Sequence, residues 1–514
     1  MKRALYFLLI ICLIFALSGC KKDEEPGSVS GFEDFDPGLT QGGVVEAYIL
    51  RPDTLNPLTT GISINRRMLF LCFDSLFYID SQFNTVPRLA KSQSVSDSGR
   101  RLTVSLRDDV TWHDGSRFSA EDVVYTVNNI TGNENSYYRT VLSGLISRVR
   151  ALDNYTVEFY LRYPNSGAAS LLTFPILKKG TWKSESYTPV GTGPFMLKGD
   201  VGESAITLEK NPKWKCGHVY IDGVTLNILP DTDSVYSAFS AGVIDFVQIT
   251  KENAGKFSIS ENIGYLPTYT ENYTYLGLNC NDELLAVRDV RDAIAGAVDR
   301  TAFTKAVLSD YGIAATLPVH PKAFYYDAPK APNPSPFIVK EEGRIYYRDP
   351  LEGTSVPLEF TILVNEENSG RCTAADYLAA SLTENGIPTE VVKTDFETYV
   401  TKIAEGSFEM YLGGTKLSCD VNLHPLTGEG GGLNYGEFYS DTVESLLNKI
   451  LRAENQADRN ETLHKLQAEL YAEVPHIPLY YENEMIVYNT KKIGNAHTVL
   501  SDNIYSFVSM CCVK

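Results

Sequence analysis

The hydrophobic pattern opens on one unbroken apolar run, Ala4 to Leu17, preceded by Lys2-Arg3 and closed by Leu17-Ser18-Gly19-Cys20. The run falls short of the roughly 20 residues a membrane span needs. With its basic start and small-residue end it predicts a cleaved export signal over residues 1–19. From Lys21 to Gly43 apolar residues are sparse, and Asp23, Glu24, Glu25, Glu33, Asp34 and Asp36 dominate. Such a segment buries too little surface to offset its ordering entropy, so residues 20–43 are expected to form a flexible tether. Folding is expected to start at Val44.

Beyond that point two periodicities mix. Leu102, Val104 and Leu106 alternate with polar residues as a half-buried strand does, and Asp114-Gly115 is turn chemistry. Ser119 caps a helix with Asp122 at the capping-box position and Val123, Val124 and Val127 as its buried side. Val290, Ile294 and Val298 recur at helical spacing, and Val443, Leu446, Leu447, Ile450 and Leu451 give a full apolar stripe. A further helix through Leu463, Leu466 and Leu470 must stop before Pro475, after which Leu479 to Tyr481 begins a new apolar run. No repeat at a fixed period is present.

At 514 residues with 43% apolar content, the chain can bury large cores in two or three lobes. A formal net charge of −18 argues against nucleic acid and against a broad basic surface for anionic lipid. The nine cysteines match no zinc or redox spacing, so most are read as small core hydrophobes, with room for one bridge. Cys20 stands apart. Flanked by Ser18 and Gly19, it reads as the acylated first residue of a lipoprotein, holding the mature chain to a bilayer outside the cytoplasm.

An ordered series of short motifs changes the picture. It runs from Leu55-Asn56-Pro57 and Asp74-Ser75-Leu76-Phe77 through Pro87-Arg88-Leu89-Ala90, Leu106-Arg107-Asp108 and Trp112-His113-Asp114-Gly115 to Ala120-Glu121-Asp122-Val123. It continues with Val190-Gly191-Thr192-Gly193-Pro194-Phe195, Asn211-Pro212, Ala241-Gly242-Val243-Ile244-Asp245, Val290-Arg291-Asp292-Ala293-Ile294, Asp299-Arg300 and Glu473-Val474-Pro475-His476-Ile477-Pro478-Leu479. The series resembles the extracellular solute-binding proteins of peptide-type ABC importers, the oligopeptide, dipeptide and nickel binding family (solute-binding protein family 5).

That resemblance implies an α/β, two-lobed periplasmic-binding-protein-like fold (type II, cluster C) with an extra inserted domain. Lobe one would take residues 44–65, 172–265 and 484–514, the extra domain 66–171, and lobe two 266–483. It also implies an ABC permease with a cytoplasmic ATPase as partner, a peptide ligand, a monomer, no enzyme activity and no cofactor. A nickel chelate or glycan ligand, and a lipoprotein sensor or adhesin without transport, are the alternatives.

Two motifs look like chemistry and are read as structure. His113 beside Asp114 lacks a nearby Ser or Cys nucleophile, and Asp-Gly is a turn. Gly191-Thr192-Gly193-Pro194 lacks the Gly-Lys-Ser/Thr of a phosphate loop and is expected as a tight turn near the hinge. By the resemblance, Asp420 is the expected partner of a peptide's ammonium terminus, through a charge-assisted hydrogen bond. Peptide-binding relatives usually carry tryptophan where this chain has Leu417, which reshapes the first ligand pocket. Arg66 lies in a segment expected to be a loop facing the ligand and suited to an anionic group. Tyr273, Tyr275 and Asn279 fall where the chain crosses into lobe two, with backbone expected to pair with an extended ligand. Tyr269 and Tyr325-Tyr326 are further candidate wall residues, and the prolines of Asn333-Pro334-Ser335-Pro336 forbid a continuous helix between Tyr325 and Phe360.

Overall fold

A computed structural model describes residues 39–182, 187–256, 262–330, 334–496 and 510–513. The export signal, Cys20 and most of the tether lie outside the described residues. The tether's expected end at Gly43 needs correction, because Leu39–Thr40 already pairs antiparallel with Cys511–Val513. Among the described residues no helix is long and apolar enough to cross a membrane.

Three main sheets organise the fold. In the first, Val44–Leu50 pairs parallel with Gly223–Leu229, and Ala205–Lys210 and Phe195–Leu197 extend the sheet antiparallel. The second is antiparallel, in the order Ala90–Ser96, Arg101–Leu106, Thr156–Leu161, Ile146–Asp153. Its alternating Leu102, Val104 and Leu106 are buried as the pattern predicts, against Val123 and Val127 of the helix Ala120–Gly132. That helix starts on the expected capping box, with the Asp122 carboxylate accepting the Ser119 N–H at 2.9 Å. These two sheets share one apolar cluster.

The third sheet spans the molecule. Its order is Phe246–Ile249, His476–Asn489, Ile263–Leu278, Met410–Lys416, Phe360–Asn365, Thr389–Thr394, with Gly312–Ala314 also on His476–Asn489. The helices Arg288–Ala297, Asp441–Arg452 and Gln456–Glu473 form where the apolar stripes place them. Val474 takes a left-handed φ of 49° that ends the last helix before Pro475. Between Tyr325 and Phe360 the described residues form a small sheet of Ile338–Glu341, Arg344–Arg348 and Ser355–Pro357, in place of a helix.

Residues far apart in sequence meet at one buried carboxylate. Asp74, 1% exposed, accepts from Thr192 Oγ1 at 3.1 Å and from Trp214 Nε1 at 3.2 Å. The Arg88 guanidinium lies over the Trp214 ring and donates to the Cys216 carbonyl at 2.6 Å. Beside this hub, His113 Nδ1 accepts the Gly191 N–H at 3.2 Å while Nε2 donates to the Gly193 carbonyl at 3.1 Å. The two motifs that look catalytic are thus one staple. Gly191-Thr192-Gly193 lies against Cys72 and Phe73, and a Cβ on Gly191 would sit 1.7 Å from the Cys72 carbonyl oxygen.

Gly191→Ala is therefore expected to cost on the order of 3 kcal/mol or more, because backbone must move. Gly115→Ala, at φ 85° with nothing within 4 Å, is expected to cost about 1–2 kcal/mol for conformation alone. Urea midpoints of the two variants check the order, and equal losses contradict it. Burial also holds the His113 imidazole down to about 4 from its ordinary 6.5. The unfolded chain accepts that proton first, so this residue's contribution to stability is complete above pH 6.5 and is lost as pH falls toward 4. The His113 ring resonance should stay that of neutral imidazole from pH 7 to 5, and a midpoint near 6.5 contradicts the staple.

Candidate functional site

Two strands carry the chain between its halves, Ile263–Leu278 and His476–Asn489. Their register runs regularly from Ile263↔Asn489 to Tyr269↔Asn483 and resumes at Tyr273↔Tyr481, so Thr270, Glu271 and Asn272 stand opposite Glu482 alone. Thr270 Oγ1 ties this bulge down by donating to the Glu482 carbonyl at 2.6 Å. A bulge re-aims side chains, and here Thr268 to Asn272 line a cavity of about 630 Å³. Lys416, Ser418 and Cys419 line it as well, together with Ser63, Arg66, Arg67, Phe70, Tyr137, Tyr138 and Val141.

Charges of both signs face this space. Glu271 pairs with Lys416 at 3.0 Å and accepts the Cys419 thiol hydrogen at 2.7 Å. Burial, then the neighbouring Glu271 charge, pushes the Cys419 thiol well up, so it stays a neutral donor. Arg67 pairs with Glu484 at 3.0 Å and donates to Gln248 at 2.7 Å. Arg66 differs. Its guanidinium lies 3.5 Å over the Tyr137 ring and donates to the Thr60 carbonyl, and among the described residues it has no carboxylate partner. The segment expected to be a loop here is the helix Ser63–Leu69, which fixes the direction of both arginines.

Of the residues expected at the ligand, Arg66 and Tyr269 line the cavity. Tyr273, Tyr275 and Asn279 do not. Tyr273 is 1% exposed, its hydroxyl 2.8 Å from His476 Nε2, and Tyr275 bonds the Tyr411 hydroxyl at 3.2 Å. Asn279 donates to the Gly406 and Phe408 carbonyls. From Tyr273 to Leu278 the strand is flanked on both sides, by Met410–Lys416 and His476–Asn489, so no free backbone edge remains there for an added strand. The lining residues lie a few positions earlier, at the polar Thr270-Glu271-Asn272 that interrupts an otherwise apolar strand. That interruption is the signal a sequence reading had available.

Asp420 is buried one residue beyond the cavity wall. Its Oδ2 accepts from Asn165 Nδ2 at 2.7 Å, and its backbone carbonyl accepts from Arg459 at 2.5 Å. Leu417 donates its N–H to the Glu271 carbonyl and borders a second, much smaller cavity of about 20 Å³, as does Tyr325. Phe83 stacks on His320 at 4.4 Å, and the 165–167 turn meets Asp420 and Arg459.

Residues 84–420, more than half of the chain, match the family model for bacterial extracellular solute-binding proteins, family 5 (middle). The chain belongs to that family. Family 5 solute-binding proteins are extracytoplasmic binding components of peptide and nickel ABC importers, not enzymes. This family 5 chain is 23% identical to the oligopeptide-binding protein AppA of Bacillus subtilis (strain 168), over 94% of each chain. It is 24% identical to the glutathione-binding protein GsiB of Escherichia coli (strain K12), over 88% of this chain and 91% of that one. The two-lobed family fold recurs in the nickel ABC transporter protein of Bacillus halodurans, with TM-score 0.76 and 19% identity over 90% of this chain and 98% of that one. It recurs in the unliganded open form of the murein tripeptide binding protein MppA, with TM-score 0.74 and 18% identity over 93% and 98%.

Proposed function

We propose that this chain is the lipid-anchored, peptide-capturing subunit of an ABC importer, delivering its ligand to a membrane permease. The observation that carries this reading is the inter-lobe cavity of about 630 Å³, lined by a few charged groups among aromatic and hydroxyl side chains. Its size lies within the roughly 300–1,000 Å³ of small-ligand sites. The relatives named for oligopeptides and glutathione support a peptide, and closure of both lobes on one ligand would supply the signal that a permease reads. By analogy the lobes keep the expected boundaries, with residues 66–171 as the extra domain.

Within the cavity, Arg66 is assigned to an anionic group of the ligand, because its charge faces the space without a carboxylate. Asp420 is assigned to the ligand's ammonium. Its buried carboxylate is met by neutral donors, Asn165 Nδ2 at 2.7 Å and the Asn422 N–H at 3.3 Å. Arg459 lies close by but spends its hydrogen bond on the Asp420 backbone carbonyl, so the carboxylate keeps room for an arriving cation where Asn165 now donates. Leu417 and Arg66 together also favour a second reading, a carboxylate-bearing non-peptide such as a metal chelate.

Native mass spectrometry of residues 44–514 purified from a peptide-rich host, with acid release of the bound mass, tests this. Peptides are expected on the wild type, with roughly ten-fold or greater loss in Asp420→Asn and in Arg66→Gln. Loss in Glu271→Gln with retention in Asp420→Asn moves the ammonium contact to Glu271, and a bound chelate replaces the peptide reading. The anchor has its own test. Cys20→Ser is expected to shift the exported protein from the membrane fraction to the soluble fraction, and an unchanged membrane fraction contradicts lipidation.

A further inference from the structure

The small cavity of about 20 Å³ adjoins the large one, sharing Glu271, Ser418 and Cys419 with it. Its volume suits one water-sized group. Two of its lining residues carry buried polar atoms that have no hydrogen-bond partner among the described residues, His320 Nε2 and Tyr481 Oη. His320 is 4% exposed and Tyr481 1%. A buried donor left without an acceptor costs about 1–3 kcal/mol, so two at one cavity point to a missing partner.

The chemistry of that partner follows from the protons. His320 Nδ1 accepts the Lys322 N–H at 3.1 Å, so the hydrogen of the neutral ring sits on Nε2. Burial and then the Lys322 charge push this imidazole down to about 3, which keeps it neutral. Nε2–H and the Tyr481 O–H are therefore two donors waiting for an acceptor. The remaining lining includes Phe83, Val421 and Leu423, and Glu271 at the shared boundary repels anions. No lysine or arginine is among its lining residues, so an ionised carboxylate would lose its hydration there beside Glu271 at a cost far above that of a neutral carbonyl oxygen met by two donors.

We infer that this cavity is a subsite for one neutral carbonyl oxygen of the bound ligand, a peptide-bond or side-chain amide oxygen, received by His320 Nε2–H and Tyr481 O–H. The inference rests on the peptide reading above. It also gives the His320 ring a fixed pose, since Phe83 stacks on it at 4.4 Å and Tyr481 packs at 4.6 Å.

The test uses the chain from residue 20 to residue 514 as wild type, His320→Phe and Tyr481→Phe, each refolded ligand-free and exposed to a tryptic digest of casein. The readouts are retained peptide mass by native mass spectrometry, thermal midpoint, and a crystal structure of the loaded wild type. Peptide retention should fall about ten-fold in each variant, and the loaded crystal should carry a ligand oxygen within hydrogen-bond reach of Nε2 and Oη. Tyr481→Phe keeps the ring and removes one hydroxyl, so it stands if His320→Phe does not fold. Equal retention by wild type and Tyr481→Phe, or an isolated water at that spot in the loaded crystal, overturns the subsite and leaves the importer reading intact. A wild type that retains no peptide removes both together.

Discussion

The pairing of Ile263–Leu278 with His476–Asn489 is the constraint on which the rest depends. Each strand is hydrogen-bonded to lobe one's Phe246–Ile249 or to lobe two's Met410–Lys416 at one end, and to the other crossing strand along its length. Side chains from Tyr273 onward belong to a ladder paired on both edges, and a polar side chain aimed into the space between the halves departs from it. The bulge at Thr270 to Asn272 provides that departure, and it does so where the chain passes from one half to the other. Glu271 reaches the cavity because it belongs to the bulge; Tyr273, two residues on, is back in register and packed in the core.

Contacts between segments far apart in sequence set a second condition. Ile79 and Phe83 of the hairpin Phe77–Ile79 and Thr85–Pro87 join an apolar cluster with Leu317, Leu423 and Leu447. At the other end, Asn165 and Ser166 engage Asp420, Ile450 and Arg459. Asn165, Ser166 and Arg459 thus tie Asp420 and the 450–459 segment to the 165–167 turn.

Much of the fold was legible in the sequence because local rules and burial agreed. The capping box at Ser119, the stripes over Asp441–Arg452 and Gln456–Glu473, and the stop at Val474 all combine strong periodicity with a cap or breaker. The motif series marked the family, yet its residues serve packing: Asp74, Thr192 and Trp214 close one buried hub, and His113 clamps Gly191 and Gly193. The site was less legible. Apolar aromatic density suggested Tyr273 and Tyr275, but whether a strand residue faces core or cleft turns on a register shift with its partner, and that is a pairwise property absent from either segment alone. The loop expected around Arg66 rests on the resemblance, and the sequence offers no correcting signal, since Ile62 brings no side-chain cap to mark the helix start.

A ligand bound in the large cavity must touch Thr268–Asn272, the Ser63–Leu69 helix and the Lys416–Cys419 segment together. Hydrogen exchange of residues 44–514, measured ligand-free and with a casein digest, tests it most directly. Slower exchange of all three segments at once, with the Ala90–Leu106 strands unchanged, is the result predicted. Protection of only one segment, or of none while peptide remains bound, would contradict a cleft built on the bulge.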